Sequence, residues 1–163
     1  MSVTIAIEAP RQAEVLDLLD RSTSFAQALY PPESNFLLSI EELERPGVSF
    51  YVARDEAGIA VGVAGLIKLD GTQSALPIGP EAELKRMFVD EAARGRGVAS
   101  LLLQRIEMDA RAGGIRRLLL ETGPRHEAAL ALYARHGYLP IPQFGQYVGE
   151  VFSVCFAKDL DTA

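Results

Sequence analysis

The run Arg94-Gly95-Arg96-Gly97-Val98-Ala99 holds the residue types and spacing in this chain that point most directly to chemistry. Its two glycines let the backbone turn tightly and approach a ligand with no Cβ in the way. Arg94 and Arg96 add two fixed positive charges, which suit a phosphate or pyrophosphate. A helix starting near Val98 would aim its first amides and the positive end of its dipole at the same guest. The segment reads as an anion cradle. A second run, Tyr30-Pro31-Pro32-Glu33-Ser34-Asn35, reads as a stiff polar loop carrying one aromatic and one carboxylate. Such a loop either faces a ligand or simply connects two elements.

Two nucleotide-binding patterns compete for the glycine run. A P-loop needs Lys and Ser or Thr after its last glycine, so that the Lys reaches the terminal phosphates and the hydroxyl binds magnesium; here Gly97 is followed by Val98 and Ala99. A dinucleotide fingerprint matches Gly95 and Gly97 but meets Ser100 where its third glycine should stand. That fingerprint also lacks its downstream acidic ribose ligand, and the glycines follow the preceding strand by several residues rather than ending it. Both patterns fit poorly.

The elements that must position these residues follow from periodicity. Residues 3–7 alternate as a strand, and after Pro10 a helical pattern runs through Val15, Leu18, Leu19, Phe25 and Leu29 until Pro31-Pro32 stops it. A short helical turn covers 40–43. Residues 48–54 and 59–69, joined by the turn 55–58, pair as an antiparallel hairpin, with 83–89 as a third strand beyond a loop over 71–80. Val98, Leu101, Leu102, Ile106 and Ala110 share one helical face, and Gly113-Gly114 ends that helix. A strand over 117–122, a helix over 126–136 closed by Gly137, and a last strand over 151–157 complete a mixed α/β sheet in one domain.

Bulk properties narrow the partners. At 163 residues, 48% hydrophobic and 23% charged, the chain suits a single well-filled core. A net charge of -6 argues against nucleic acid, whose binders carry a basic excess. The arginines and lysines between Lys85 and Arg117 favour a local anionic ligand instead. Cys155 is the only cysteine, which excludes an internal disulfide and a cysteine-based zinc site and is compatible with the cytoplasm. The longest run of apolar residues and glycine, 59–67, is far below a membrane span. No metal is expected.

The unit made of Glu83-Leu84-Lys85-Arg86-Met87-Phe88-Val89 and the glycine run resembles the acetyl-coenzyme A signature of the GNAT N-acetyltransferase superfamily, Arg/Gln-x-x-Gly-x-Gly/Ala, with Arg94, Gly97 and Ala99 in its defined positions. The resemblance continues through Leu119-Leu120-Glu121-Thr122 and through residues 129–138, similar to the family's second cofactor segment. Leu29-Tyr30-Pro31-Pro32-Glu33-Ser34, Phe144-Gly145-Gln146-Tyr147 and Ser153-Val154 resemble a branch of small bacterial GNAT proteins. This implies a GNAT fold: a mostly antiparallel mixed sheet flanked by helices, with one splayed parallel strand pair. It also implies an acetyl-CoA-dependent N-acetyltransferase moving an acetyl group directly to a primary amine of a small metabolite or amino-acid-like acceptor. A peptide or protein acceptor, or a non-catalytic acyl-CoA sensor, is the alternative. A homodimer is compatible with it.

Residue by residue, the resemblance implies that backbone groups of Met87, Phe88 and Val89 contact the pantetheine and thioester carbonyl. Amides from Arg94, Gly95, Arg96, Gly97, Val98, Ala99 and Ser100 would hold the pyrophosphate. Glu83 stands where several members carry a catalytic glutamate; it reads equally as a solvent-facing strand residue. Its distance from Met87, roughly 13 Å along a strand, would require ordered water as a bridge. Tyr133 matches the tyrosine that serves the departing thiolate, although a lone helical tyrosine is also an ordinary core residue. His126 replaces an asparagine frequent in the family, and is either a cofactor contact or a surface residue. Tyr30, Glu33 and Tyr147 are expected at the acceptor pocket, Glu33 to pair with an ammonium group.

Overall fold

The computed structural model describes residues 2–74 and 78–160. Of the expected loop over 71–80, residues 75–77 lie outside the described residues. Among the described residues seven strands follow the order β1-β2-β3-β4-β5-β7-β6. They are β1 Thr4–Ile7, β2 Val48–Arg54, β3 Ala60–Lys68, β4 Glu81–Val89, β5 Arg117–Thr122, β6 Leu139–Ile141 and β7 Val154–Asp159. Four α-helices accompany them: α1 Ala13–Leu29, α2 Ile40–Leu43, α3 Val98–Ala112 and α4 Glu127–Arg135. β4 and β5 run parallel, pairing Glu81–Leu84 with Arg117–Leu120, after which β4 continues to Val89 and β5 to Thr122. The pairs β1–β2, β2–β3, β5–β7 and β6–β7 are antiparallel.

The chain forms two compact units. In the first, Met1–Ile67 with Lys85–Arg105, the N-terminal strands carry α1 through a core of Val15, Leu18, Leu19, Leu43, Phe50, Val52, Val63 and Phe88. Burying side chains of this size stabilises by about 1.5–3 kcal/mol each relative to exposure. Gly62 lets α3 approach β3 closely: a Cβ there would stand 3.0 Å from Val98 Cγ1 and 3.2 Å from Leu102 Cδ1. α1 ends at Tyr30, held extended ahead of the two prolines, and Asn35 donates from its side-chain amide to the Tyr30 and Pro31 carbonyls. Ser39 and Glu42 cap α2 reciprocally. In the second unit, Lys68–Leu84 with Ile106–Ala163, β5 is buried through Arg117–Leu120, and β7 and β6 extend it.

Several expectations are corrected. β4 begins at Glu81 rather than 83, because the Gln73 and Ser74 amides and the Ser74 hydroxyl solvate an otherwise prohibitive buried carboxylate. On α3 the buried stripe takes Leu103 in place of Leu101, which is 38% exposed. The last strand starts at Val154, not 151: the Ser153 amide closes a turn onto the Glu150 carbonyl, leaving Val151 in solvent. β6 is an additional element, three residues long with Pro140 at its centre, too short to show a period.

Candidate active site

The glycine run lies in the first unit and is built by local rules. Asp90 closes β4, donating its amide to the Val61 carbonyl and accepting the Ala92 amide at 3.1 Å on its side chain. A single 3-10 turn, Glu91–Ala93, delivers the chain to Arg94. Gly95 and Gly97 sit at φ +80° and +76°, the left-handed region that other residues enter only at a cost of about 1–2 kcal/mol. A Cβ built on either would meet nothing within 4 Å, so the space over the loop is open. Leu101 donates the first α3 hydrogen bond to the Gly97 carbonyl at 3.0 Å. The helix therefore starts directly behind the glycines, and the first amides of a helix lack partners within it.

α1 steadies this loop. The Arg94 guanidinium lies 5.7 Å from the Phe25 ring centroid and 6.0 Å from that of Phe88. Arg21 forms an ion pair with Asp90 at 3.1 Å, which together with the Ala92 amide holds the Asp90 carboxyl below the usual carboxylate range. Arg94 to Gly97 are exposed, Ala99 and Ser100 half-buried and Val98 buried. Met87 and Val89 are half-buried and Phe88 is buried in the core. Just before them Arg86 adopts φ 58°, unusual for a non-glycine, and its buried guanidinium donates to the Leu19 carbonyl at 2.8 Å and to Thr23 Oγ1 at 3.1 Å. The loop fits a pyrophosphate: open, positively charged, and backed by a helix N-terminus.

The second unit carries a different construction. Glu83 is 7% exposed, which removes its reading as a solvent-facing residue. The Tyr147 hydroxyl donates to Glu83 Oε2 at 2.5 Å. Burial and the Glu83 charge push the Tyr147 phenol well above its ordinary value, so it keeps its proton and donates a hydrogen bond to the carboxylate. The pair lies in an open pocket of about 210 Å³ whose other walls are Leu69, Gln73, Phe144, Gly145 and Gln146. The 3-10 turn Gly145–Tyr147 starts at Gly145 with φ 55°, and Phe144 packs edge-to-face on Tyr147 at 5.2 Å.

Tyr133, on α4, is buried and packs edge-to-face on Tyr138 at 5.7 Å. Burial, reinforced by the Glu121 carboxylate, raises its phenol well above the ordinary value. Tyr138 is itself anchored by donating to Glu107 at 2.9 Å, and Glu107 accepts Lys158 at 2.7 Å. His126 stands at the N-cap position of α4 without a side-chain capping bond and is half-buried, which lowers its pKa below 6.5. Of the expected acceptor residues, Tyr147 meets Glu83 in the pocket. Tyr30 is buried at the end of α1, and Glu33 is exposed on the 3-10 turn Pro32–Ser34. Gln73, Leu69, Phe144 and Gln146 are pocket residues that the sequence reading did not assign. Continuity with Tyr147 could have found Phe144 and Gln146; Gln73 carried no local signal. Among the described residues no group of three or more His, Cys, Asp or Glu could hold a metal ion. Among them, too, no helix is long and apolar enough to cross a membrane.

Known proteins place this architecture. Residues 13–138 match the model of the acetyltransferase (GNAT) family. The chain is 40% identical over 159 residues to the IAA acetyltransferase of Azospirillum brasilense, covering 98% of this chain and 99% of that protein. It is 30% identical over 149 residues to the uncharacterized N-acetyltransferase YsnE of Bacillus subtilis (strain 168), with 90% and 93% covered. A crystal structure from Klebsiella pneumoniae, assigned as an acyl-CoA N-acyltransferase, superposes with a TM-score of 0.77 at 29% identity over 98% of both chains. The PaiA N-acetyltransferase of Thermoplasma acidophilum, solved with coenzyme A, shares the fold at a TM-score of 0.72 and 15% identity, over 98% of this chain and 99% of that one. The chain belongs to the GNAT acetyltransferase family. It is an acetyl-CoA-dependent acyltransferase.

Proposed function

We propose that this chain moves an acetyl group from acetyl-CoA directly to a primary amine of a small metabolite or amino-acid-like acceptor, and that the acceptor enters the pocket beside Glu83. The observation that carries this reading is the buried Glu83 carboxylate, oriented by the Tyr147 hydroxyl at 2.5 Å in a pocket of about 210 Å³. That volume suits a small acceptor. When bound, acetyl-CoA supplies an acetyl group activated as a thioester. The backbone of Met87, Phe88 and Val89 and the amides from Arg94 to Ser100 would hold it, with His126 a further contact at the start of α4.

An amine with a pKa near ~10 is about 0.1% neutral at pH 7, a handicap of about 4 kcal/mol, so its proton must be taken by the site. Glu83 takes it through ordered water. Tyr147 holds the carboxylate in one orientation. Tyr133, which binds its proton more tightly than an ordinary phenol, serves the departing sulfur as a hydrogen-bond donor. Tyr30 and Glu33 belong to the acceptor side, Glu33 offering exposed negative charge to an ammonium group. Its single, buried cysteine suits the reducing cytoplasm in which we place the chain.

The test is thiol release from acetyl-CoA over a panel of primary amines and amino acids, with IAA included because a relative's name carries it. Amine-dependent release is expected, lost by about 10²–10³-fold in Glu83→Gln while acetyl-CoA still raises the melting temperature. Acetyl-CoA binding without turnover on any acceptor would point to a sensor module, and turnover of peptides alone to a peptide acetyltransferase.

A further inference from the structure

Two residues before Glu83 on the same strand, Glu81 is completely buried, although a buried carboxylate is costly unless several donors surround it. Its donors are the Gln73 amide at 2.5 Å, the Ser74 amide at 3.1 Å and the Ser74 hydroxyl. Strand pairing sets Glu81 beside Arg117, and Arg117 beside Asp159. Arg117, itself buried, donates to the Ser74 hydroxyl at 3.0 Å and to Asp159 at 2.6 Å. Glu81 thus holds the backbone of residues 73 and 74, and Arg117 braces the same segment through the Ser74 hydroxyl. The side chain that this backbone carries, Gln73, lines the pocket with Glu83 and Tyr147. Its Oε1 lies 3.8 Å from where a Cβ on Gly145 would stand, an ordinary contact distance that sets the carboxamide beside this turn.

We propose that Gln73 is the acceptor-selecting side chain of this pocket and that Glu81 is the positioning residue that clamps it there. The inference rests on reading the pocket as the acceptor site. A carboxamide both donates and accepts hydrogen bonds without net charge, so it selects acceptors that carry a neutral hydrogen-bonding group beside the amine. β4 then supplies the clamp at one position and the base two residues later.

The test compares phenylalaninamide with phenethylamine, which lacks only the carboxamide. Gln73→Ala should raise KM for phenylalaninamide by about 3- to 10-fold, the worth of one neutral hydrogen bond, and leave KM for phenethylamine and the affinity for acetyl-CoA unchanged. An equal rise for both amines would overturn the selecting role. Titration followed on the Gln73 side-chain amide resonance reads selection without turnover: perturbation by phenylalaninamide alone supports it, and an equal or absent response to both amines overturns it. The clamp is tested separately by hydrogen exchange. The Gln73 and Ser74 backbone amides should be protected in the native protein and exchange at least about tenfold faster in Glu81→Gln and, for Ser74, in Ser74→Ala. Fast exchange in the native protein, or no change in the variants, would overturn the clamp. The small-amine reading fails separately, on the absence of thiol release with any amine of the acceptor panel, while resonance and exchange still decide this one.

Discussion

The glycine loop and the Glu83 pocket are built by opposite strategies. The loop is a local device: positive-φ glycines at 95 and 97, a helix starting at Val98, and arginines in the same six residues. Its surface is exposed and each part follows from neighbours in sequence. The pocket is a non-local device. Glu83 meets Tyr147 across 64 positions, Glu81 meets Ser74 across seven, and Arg117 meets Ser74 across 43. Its chemistry depends on burial, which no short stretch of sequence encodes. Binding a constant co-substrate tolerates a fixed local motif, whereas choosing an acceptor requires walls drawn from separate segments.

Substitutions can break that contrast, and the largest effect is expected in the pocket. Glu83→Gln should lower turnover by about 10²–10³-fold with acetyl-CoA affinity intact, read by thiol release and thermal shift. In the loop, Gly97→Val should weaken coenzyme A by about 100-fold or more, while the melting temperature falls only by the equivalent of about 1–2 kcal/mol. Calorimetric titration with coenzyme A separates these two, and equal loss of binding in both variants would erase the distinction drawn here. Tyr133→Phe should reduce kcat by about 10- to 100-fold and leave KM for acetyl-CoA unchanged. Unchanged kcat on a turned-over acceptor would remove Tyr133 from the reaction.

Smaller effects sharpen the comparison. Phe25→Ala should weaken coenzyme A by about 2- to 5-fold, since an exposed cation–π contact contributes about 0.5–1 kcal/mol to holding Arg94. The smallest is a pH effect at His126. Burial lowers its folded pKa below the unfolded value of 6.5, so its contribution to stability is present above pH 6.5 and is lost as pH falls through the folded pKa. Melting curves of His126→Gln should therefore fall less steeply than those of the native chain on acidification from pH 7.

The same contrast explains what could be read in advance. β2, α2 and β5 begin and end where turn residues and apolar runs place them, and the glycine loop needed only its own six residues. Glu81 falls outside the strand expected from sequence because an acidic residue ahead of a strand ordinarily seeks water; the donors on Gln73 and Ser74 explain its burial. Leu101 and Leu103 flank the same α3 stripe, and the tertiary environment, not the helical period, chose between them. Val151 and Phe152 carry the composition of a strand but are committed to a turn by the Ser153 amide. Gln73 had no pattern at all, since its place depends on a backbone held from below.

The pocket's walls at Gln73 and from Phe144 to Tyr147 lie outside every β-ladder, in a loop and a single 3-10 turn. Inheritance can therefore rewrite them without renegotiating the sheet. A lineage of such enzymes would be expected to diverge first at Gln73 and from Phe144 to Gln146, while Tyr147 and the strand that carries Glu83 stay fixed.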